Sequence, residues 1–180
     1  GFTKAFTRTG GLFTLVPLIG ANMIGLSATQ IGFGLALGSV AGLLATYPSG
    51  MLVDRFGRKM VIVPAPLLTG MSMALFWIAP DYLWFTMASL LWGIASSVGG
   101  AAPAAYAADT APPGMNAIAM SSYRTLSDFG YATGPILLGL CADWLGAGTT
   151  LGLAAVMLFA IGLLFAKEAP EIYRPRAVKD

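Results

Sequence analysis

The sequence contains no histidine, which removes Ser–His and Cys–His nucleophile pairs and imidazole metal ligation in one step. Its one cysteine, Cys141, has no partner for an internal disulfide, and an isolated thiol in an apolar run acts as a small hydrophobe. Charge is also scarce. Asp, Glu, Lys and Arg make up 10% of the 180 residues, where soluble domains carry about a quarter. Ten basic and eight acidic residues leave a net charge of +2, and the basic ones are not spread as a nucleic-acid-binding surface requires. Neither a G-x-x-x-x-G-K-[ST] loop nor an H-E-x-x-H element occurs, so neither a nucleotide nor a metal is expected as cofactor. Gly1 is not followed by a basic lead-in, a short apolar core and a small-residue cleavage site, so the sequence reads as an excerpt or a processed product.

What remains is apolar. Hydrophobic residues make up 57% of the chain and mean hydropathy is +0.76, values suited to lipid. A helical span needs roughly 20 apolar residues, and six runs meet this, at about residues 9–26, 29–53, 60–79, 82–108, 117–142 and 149–166. Breakers separate them: Gly25-Leu26-Ser27, the charged stretch at 54–59, Pro80-Asp81, and Pro112-Pro113-Gly114. The runs are too long and too uniformly apolar for barrel strands. The expected fold is therefore all-α: a polytopic bundle of six transmembrane helices, followed by a charged tail over 167–180.

Alternating spans place all ten basic residues on one side. These are Lys4 and Arg8, Arg55, Arg58 and Lys59, Arg124, and Lys167, Arg174, Arg176 and Lys179. Such asymmetry marks the cytoplasmic face, so both termini are expected there, with the chain integral to the cell (inner) membrane. Trp77, Tyr82, Trp84 and Trp144 fall near the opposite boundary and read as an interfacial belt.

The stretch between the second and third runs, Gly50-Met51-Leu52-Val53-Asp54-Arg55-Phe56-Gly57-Arg58-Lys59, carries far more chemistry than a turn needs. Its frame recurs. Gly50-x-x-x-Asp54-x-x-Gly57 reappears 89 residues later as Gly139-x-x-x-Asp143-x-x-Gly146, with Pro48 before the first copy and Pro135 before the second. Three spans lie between the copies, so they fall on opposite membrane faces, as in an inverted-topology repeat of two three-helix units.

Six spans with a G-x-x-x-D-R-x-G-R-K loop after the second resemble one half of a major facilitator superfamily transporter, over the whole chain. Gly130-Tyr131-Ala132-Thr133-Gly134-Pro135 is similar to that family's G-x-x-x-G-P helix. The resemblance implies secondary active transport of a small solute by alternating access, coupled to an ion gradient (protons foremost), against a second six-helix bundle. That bundle is either the missing half of the same chain or a homodimer partner. First halves commonly carry an R-x-x-x-G pattern in the fourth span. Leu90-Leu91-Trp92-Gly93 has no such arginine, which favours the C-terminal half, although the charged loop is unusually complete for one.

The resemblance also implies a gating loop of Gly50, Asp54, Arg55, Gly57, Arg58 and Lys59. Asp54 would latch against a neighbouring helix N-terminus, where free amides and the dipole favour an anion, and Arg58 would pair with Asp109. Gly50 and Gly57 suit close helix approach and a tight turn. Alternatively, Arg55, Arg58 and Lys59 are topology anchors alone. Arg124 and Asp128, four apart on one helix face, are either a gate or coupling ion pair within the membrane or a structural pair. Asn22, Gln30, Tyr106 and Tyr123 are candidate substrate-cavity residues, or they bond a neighbouring helix. Gly32, Gly34, Gly38, Gly42, Gly93, Gly99 and Gly100 read as packing surfaces, and Met71 and Met73 as lipid-facing or packing residues. A membrane enzyme lacks its histidine here, and a pore lacks rings of charge or a filter sequence. A scramblase or a non-transporting assembly partner is the alternative to a transporter.

Overall fold

The computed structural model describes residues 1–57, 59–100 and 102–168, and only the backbone of Asp54 and Phe56. Arg58, Arg174, Arg176, Lys179 and all but the first two residues of the expected tail lie outside the described residues. The described chain is helical, without strands, and forms six rods. These are α1 (residues 2–22), α2 (Ala28–Phe56), α3 (Lys59–Ile78), α4 (Tyr82–Asp109), α5 (Asn116–Leu145) and α6 (Ala147–Glu168). Among the described residues, α2, α3, α4 and α6 are long and apolar enough to cross a membrane by length and composition alone. In the other two, ionisable side chains stand away from the helix ends, at Arg8 in α1 and at Arg124 and Asp128 in α5.

Local chemistry sets the helix ends. At the start of α2, Ser27 Oγ accepts from Gln30 N–H at 3.2 Å while Gln30 Oε1 accepts from Ser27 N–H at 2.9 Å. This reciprocal capping box satisfies two otherwise orphaned donors. Asp81 Oδ1 accepts from Trp84 N–H at 3.0 Å and starts α4. The apolar run expected from Thr9 is only part of α1, whose helix begins at Phe2. Its middle, Thr7–Leu15, is a π-helix, and Val16 N–H donates to Gly11 O five residues back. A π stretch of this length is rare and tends to mark functional sites.

Two glycine-lined seams hold the bundle. Along the first, α2 lies on α4, and a Cβ added at Gly38 or Gly93 would overlap the facing backbone carbonyl of Ser89 or Gly38. Ser97 Oγ donates to Gly42 O at the same contact. Along the second, α1 lies on α5, and a Cβ at Gly10 or Gly134 would overlap Gly134 O or Phe6 O. Small residues let helix backbones approach where lipid supplies no hydrophobic drive between helices. The first unit's second helix meets the second unit's first helix, and the reverse contact is made by α5 and α1. The same exchange on both sides is the signature of two inverted three-helix repeats.

α3 joins the seams by packing on both α4 and α6. The core lies between them: Leu12, Leu15, Val16, Ile19, Met73, Phe76, Phe85 and Leu151 are almost wholly buried. Phe76 and Phe85 meet edge to face at 5.1 Å, a geometry worth about 0.5–1.5 kcal/mol beyond burial. The methionines divide, with Met73 in the core and Met71 exposed. The buried hydroxyls all have carbonyl partners, as burial demands: Ser72 reaches across from α3 to Ala88 O on α4 at 2.9 Å, and Thr7, Ser49, Ser89 and Thr150 bond within their own helices.

Candidate functional site

The charged loop grows out of the last turn of α2. The helix stops at Gly57, where φ is 89° and ψ 172°, a region open essentially to glycine alone. Its N–H closes the helix on Val53 O at 3.0 Å. Arg55 is exposed in that last turn and Lys59 opens α3. Asp54 lies in the helix by its backbone, and its side chain, like Arg58, lies outside the described residues. The expected Arg58–Asp109 pair therefore falls outside them as well. Asp109 ends α4, exposed.

A small apolar cluster fixes this end of the bundle. Val61, Ile62 and Ala102 are buried with Val53, Val98, Tyr106 and Phe165 against them, joining α2, α3, α4 and α6 beneath the loop. Tyr106 meets Phe165 edge to face at 5.5 Å, so the structure puts this tyrosine inside the bundle. Gly50, by contrast, faces open space: a Cβ there would meet nothing within 4 Å. The second copy of the motif behaves alike. Gly139 is open, and Gly146 ends α5 with φ 85°, its N–H on Ala142 O at 2.9 Å.

Arg124 and Asp128 are both exposed on α5, and no ion pair joins them among the described residues. Their level is given by Gly130, whose added Cβ would strike Phe2 O, so they sit beside the first turn of α1. Tyr123, half-buried nearby, is the closest neighbour of Gly1 along with Ser127. Asn22 ends α1 at the opposite end of the bundle and is exposed beside Trp77, Gly148 and Thr149. Gln30 spends its side-chain carbonyl on the capping box. The structure thus scatters these four polar side chains over several faces.

Three residues matter in ways that sequence reasoning missed. Lys4 Nζ donates to Gly99 O at 3.0 Å and Ser96 O at 3.4 Å, capping the broken turn of α4, where a cation complements the helix dipole. Arg8 lies over the rings of Phe13 and Trp92 at 5.8 and 6.0 Å. Thr9 Oγ1 donates to Tyr131 O at 3.2 Å, the carbonyl that Pro135, lacking an N–H, leaves without its helical donor. The signal was present: a proline inside a helix requires a replacement donor, and Phe2, Ala5 and Phe6 carry the helical apolar spacing back past Thr9.

Comparison with known proteins agrees with this architecture. The sequence is 28% identical over 143 residues to an uncharacterised MFS-type transporter of Methanocaldococcus jannaschii, covering 78% of this chain and 37% of that protein. It is 29% identical over 180 residues to the multi-drug resistance efflux pump PmrA of Streptococcus pneumoniae, covering 94% and 44%. It is also 29% identical over 165 residues to the staphyloferrin B transporter of Staphylococcus aureus, covering 87% and 39%. The chain therefore spans less than half the length of these relatives. The family model described as Major Facilitator Superfamily matches residues 2–180. This is an integral membrane chain, without an enzyme's function, and it belongs to the Major Facilitator Superfamily.

Proposed function

We propose that this chain is one six-helix bundle of a secondary transporter, the C-terminal half, which moves a small solute across the cell membrane by alternating access. The observation that carries the reading is the repeated open glycine. Gly50 and Gly139 sit at matching places on α2 and α5, and neither has a neighbour within the bundle. Glycine is costly in a helix interior, about 1 kcal/mol against alanine, so two unfilled positions are best accounted for by a second bundle that approaches there. α2 and α5 also leave large apolar side chains exposed, among them Phe33, Leu43, Tyr47, Phe129 and Ile136.

In this reading residues 50–59 gate the basic side of the membrane, where both termini lie in the cytoplasm. Asp54 latches to the partner bundle and releases it as the two rock. Asp128, exposed on α5 near Arg124, exchanges the coupling proton. Asn22, Gln30 and Tyr123 remain candidates for the cavity wall, and Tyr106 for a packing role beside it. The relatives' names, an efflux pump and a staphyloferrin B transporter, support transport by the whole protein.

The test is reconstitution of the native protein in vesicles with an imposed proton gradient. Saturable, gradient-driven solute flux that Asp128→Asn abolishes, with normal membrane insertion, is the expected result. Flux and proton coupling unchanged in that variant would remove Asp128 from the mechanism. Absence of any saturable flux would favour a scramblase or an assembly partner. The mass of the intact native polypeptide separates a fused second bundle, at about twice the 18.6 kDa of this chain, from a pairing of two copies.

A further inference from the structure

Between α1, α3, α4 and α6, at the end of the bundle that carries the charged loop, lies a cavity of about 190 Å³. Among the described residues, neither α2 nor α5 contributes to it, so it is distinct from the faces assigned above to the second bundle. Its walls are mostly apolar, with Ile62, Trp92, Leu158 and Phe165 among them, yet among the described residues Lys4 and Arg8 also line it and no acidic residue does. Two cations without an acid inside a helical bundle are expensive and call for a partner.

Their bonding is incomplete. The Lys4 ammonium has three N–H donors and gives two to the carbonyls of Ser96 and Gly99. The Arg8 guanidinium has five, and among the described residues it has no hydrogen-bond or ion-pair partner, only the two aromatic faces. Arg8 stands in the π-helical stretch of α1, the kind of local distortion that accompanies function. The free donors suit an oxyanion, which a guanidinium grips with paired N–H groups. The apolar walls suit a chain attached to that oxyanion.

We propose that this cavity binds the phosphate head of an acidic phospholipid, held between Lys4 and Arg8 with its first methylenes against Trp92 and Leu158. Basic pockets between membrane helices take such headgroups.

Trp92 supplies a local readout. The native protein, in nanodiscs doped with bromine-labelled phosphatidylglycerol or phosphatidylcholine, is compared with its Trp92→Phe variant to isolate quenching at this tryptophan. Half-quenching at a mole fraction of phosphatidylglycerol roughly thirtyfold below that of phosphatidylcholine is expected from two cations at about 1 kcal/mol each. The double variant Lys4→Gln with Arg8→Gln should abolish that preference, and Arg8→Lys should keep most of it. Equal quenching by the two lipids in the unmutated protein overturns the proposal without reference to any variant's folding. So does a preference that survives the double substitution. Displacement of the lipid by millimolar inorganic phosphate would also overturn it, identifying a soluble oxyanion as the occupant. None of these readouts depends on transport.

Discussion

The ends of α2 and α5 make an instructive pair. Each carries the Gly-x-x-x-Asp-x-x-Gly frame, stops at a glycine with φ near 90°, closes its last turn on the carbonyl four residues back, and leaves its first glycine open. After that they part. The α2 copy carries Arg55, Arg58 and Lys59, whereas the α5 copy carries Trp144, Ala147 and Gly148. What is shared is therefore a way to terminate a helix, and it needs no basic residue. The basic residues belong to the α2 copy alone and to the loop's proposed task.

Substitutions can break this comparison at several strengths. The largest effect is expected away from both ends, at the seams. Gly93→Val and Gly134→Val drive a side chain into facing backbone and should each destabilise the bundle by about 3 kcal/mol, the upper range for overpacking. Gly50→Ala and Gly139→Ala, with nothing nearby in this bundle, should stay within about 1 kcal/mol of the parent or gain by helix propensity in the six-helix chain alone, and lose stability only where the proposed second bundle packs on them. Unfolding midpoints of the purified variants decide between these.

Next come the helix ends themselves. Gly57→Ala and Gly146→Ala should lose similar stability, about 1–3 kcal/mol each, because both need the same forbidden backbone region. A loss confined to Gly57 would mean that the charged loop, not the helix terminus, imposes the requirement. Asp54→Asn and Asp143→Asn then separate charge from frame. Flux in vesicles should fall roughly tenfold for the first, the size of a common conformational coupling, and change little for the second. Equal losses would assign the gate to the frame. A small loss is also expected for Thr9→Val, which removes the hydroxyl on Tyr131 O and should cost about 1 kcal/mol.

The sequence made the helices legible because apolar length and breakers are local properties. Ser27 with Gln30, Asp81, Gly57 and Gly146 act within one turn of their own position. The inverted repeat was legible for the same reason, since its motif recurs at helix ends. What was hidden depends on contacts between distant segments. Lys4 looked like a topology anchor, but its acceptors lie 92 and 95 residues away. Gln30, a candidate cavity residue, also caps α2 with Ser27, and that spacing was local and legible. Tyr106 could not be placed inside or outside the bundle until Phe165 folded against it. The glycines of α2 and α4 were expected to pack, and Gly38, Gly42 and Gly93 do, while Gly32 faces open space.

The Lys4 contact also sets an order of events during synthesis. At roughly 5–20 residues per second, the carbonyl of Gly99 emerges some 5–20 seconds after the lysine that it receives. Tyr131 follows later still to accept from Thr9, across 122 residues. Until α4 and α5 arrive, α1 holds a charge without its acceptors and a hydroxyl without its distant carbonyl. Its own composition leaves it outside the helices apolar enough to span alone. α1 is thus completed by its successors, and a nascent chain that stalls after α3 would expose an unfinished first helix to cellular quality control.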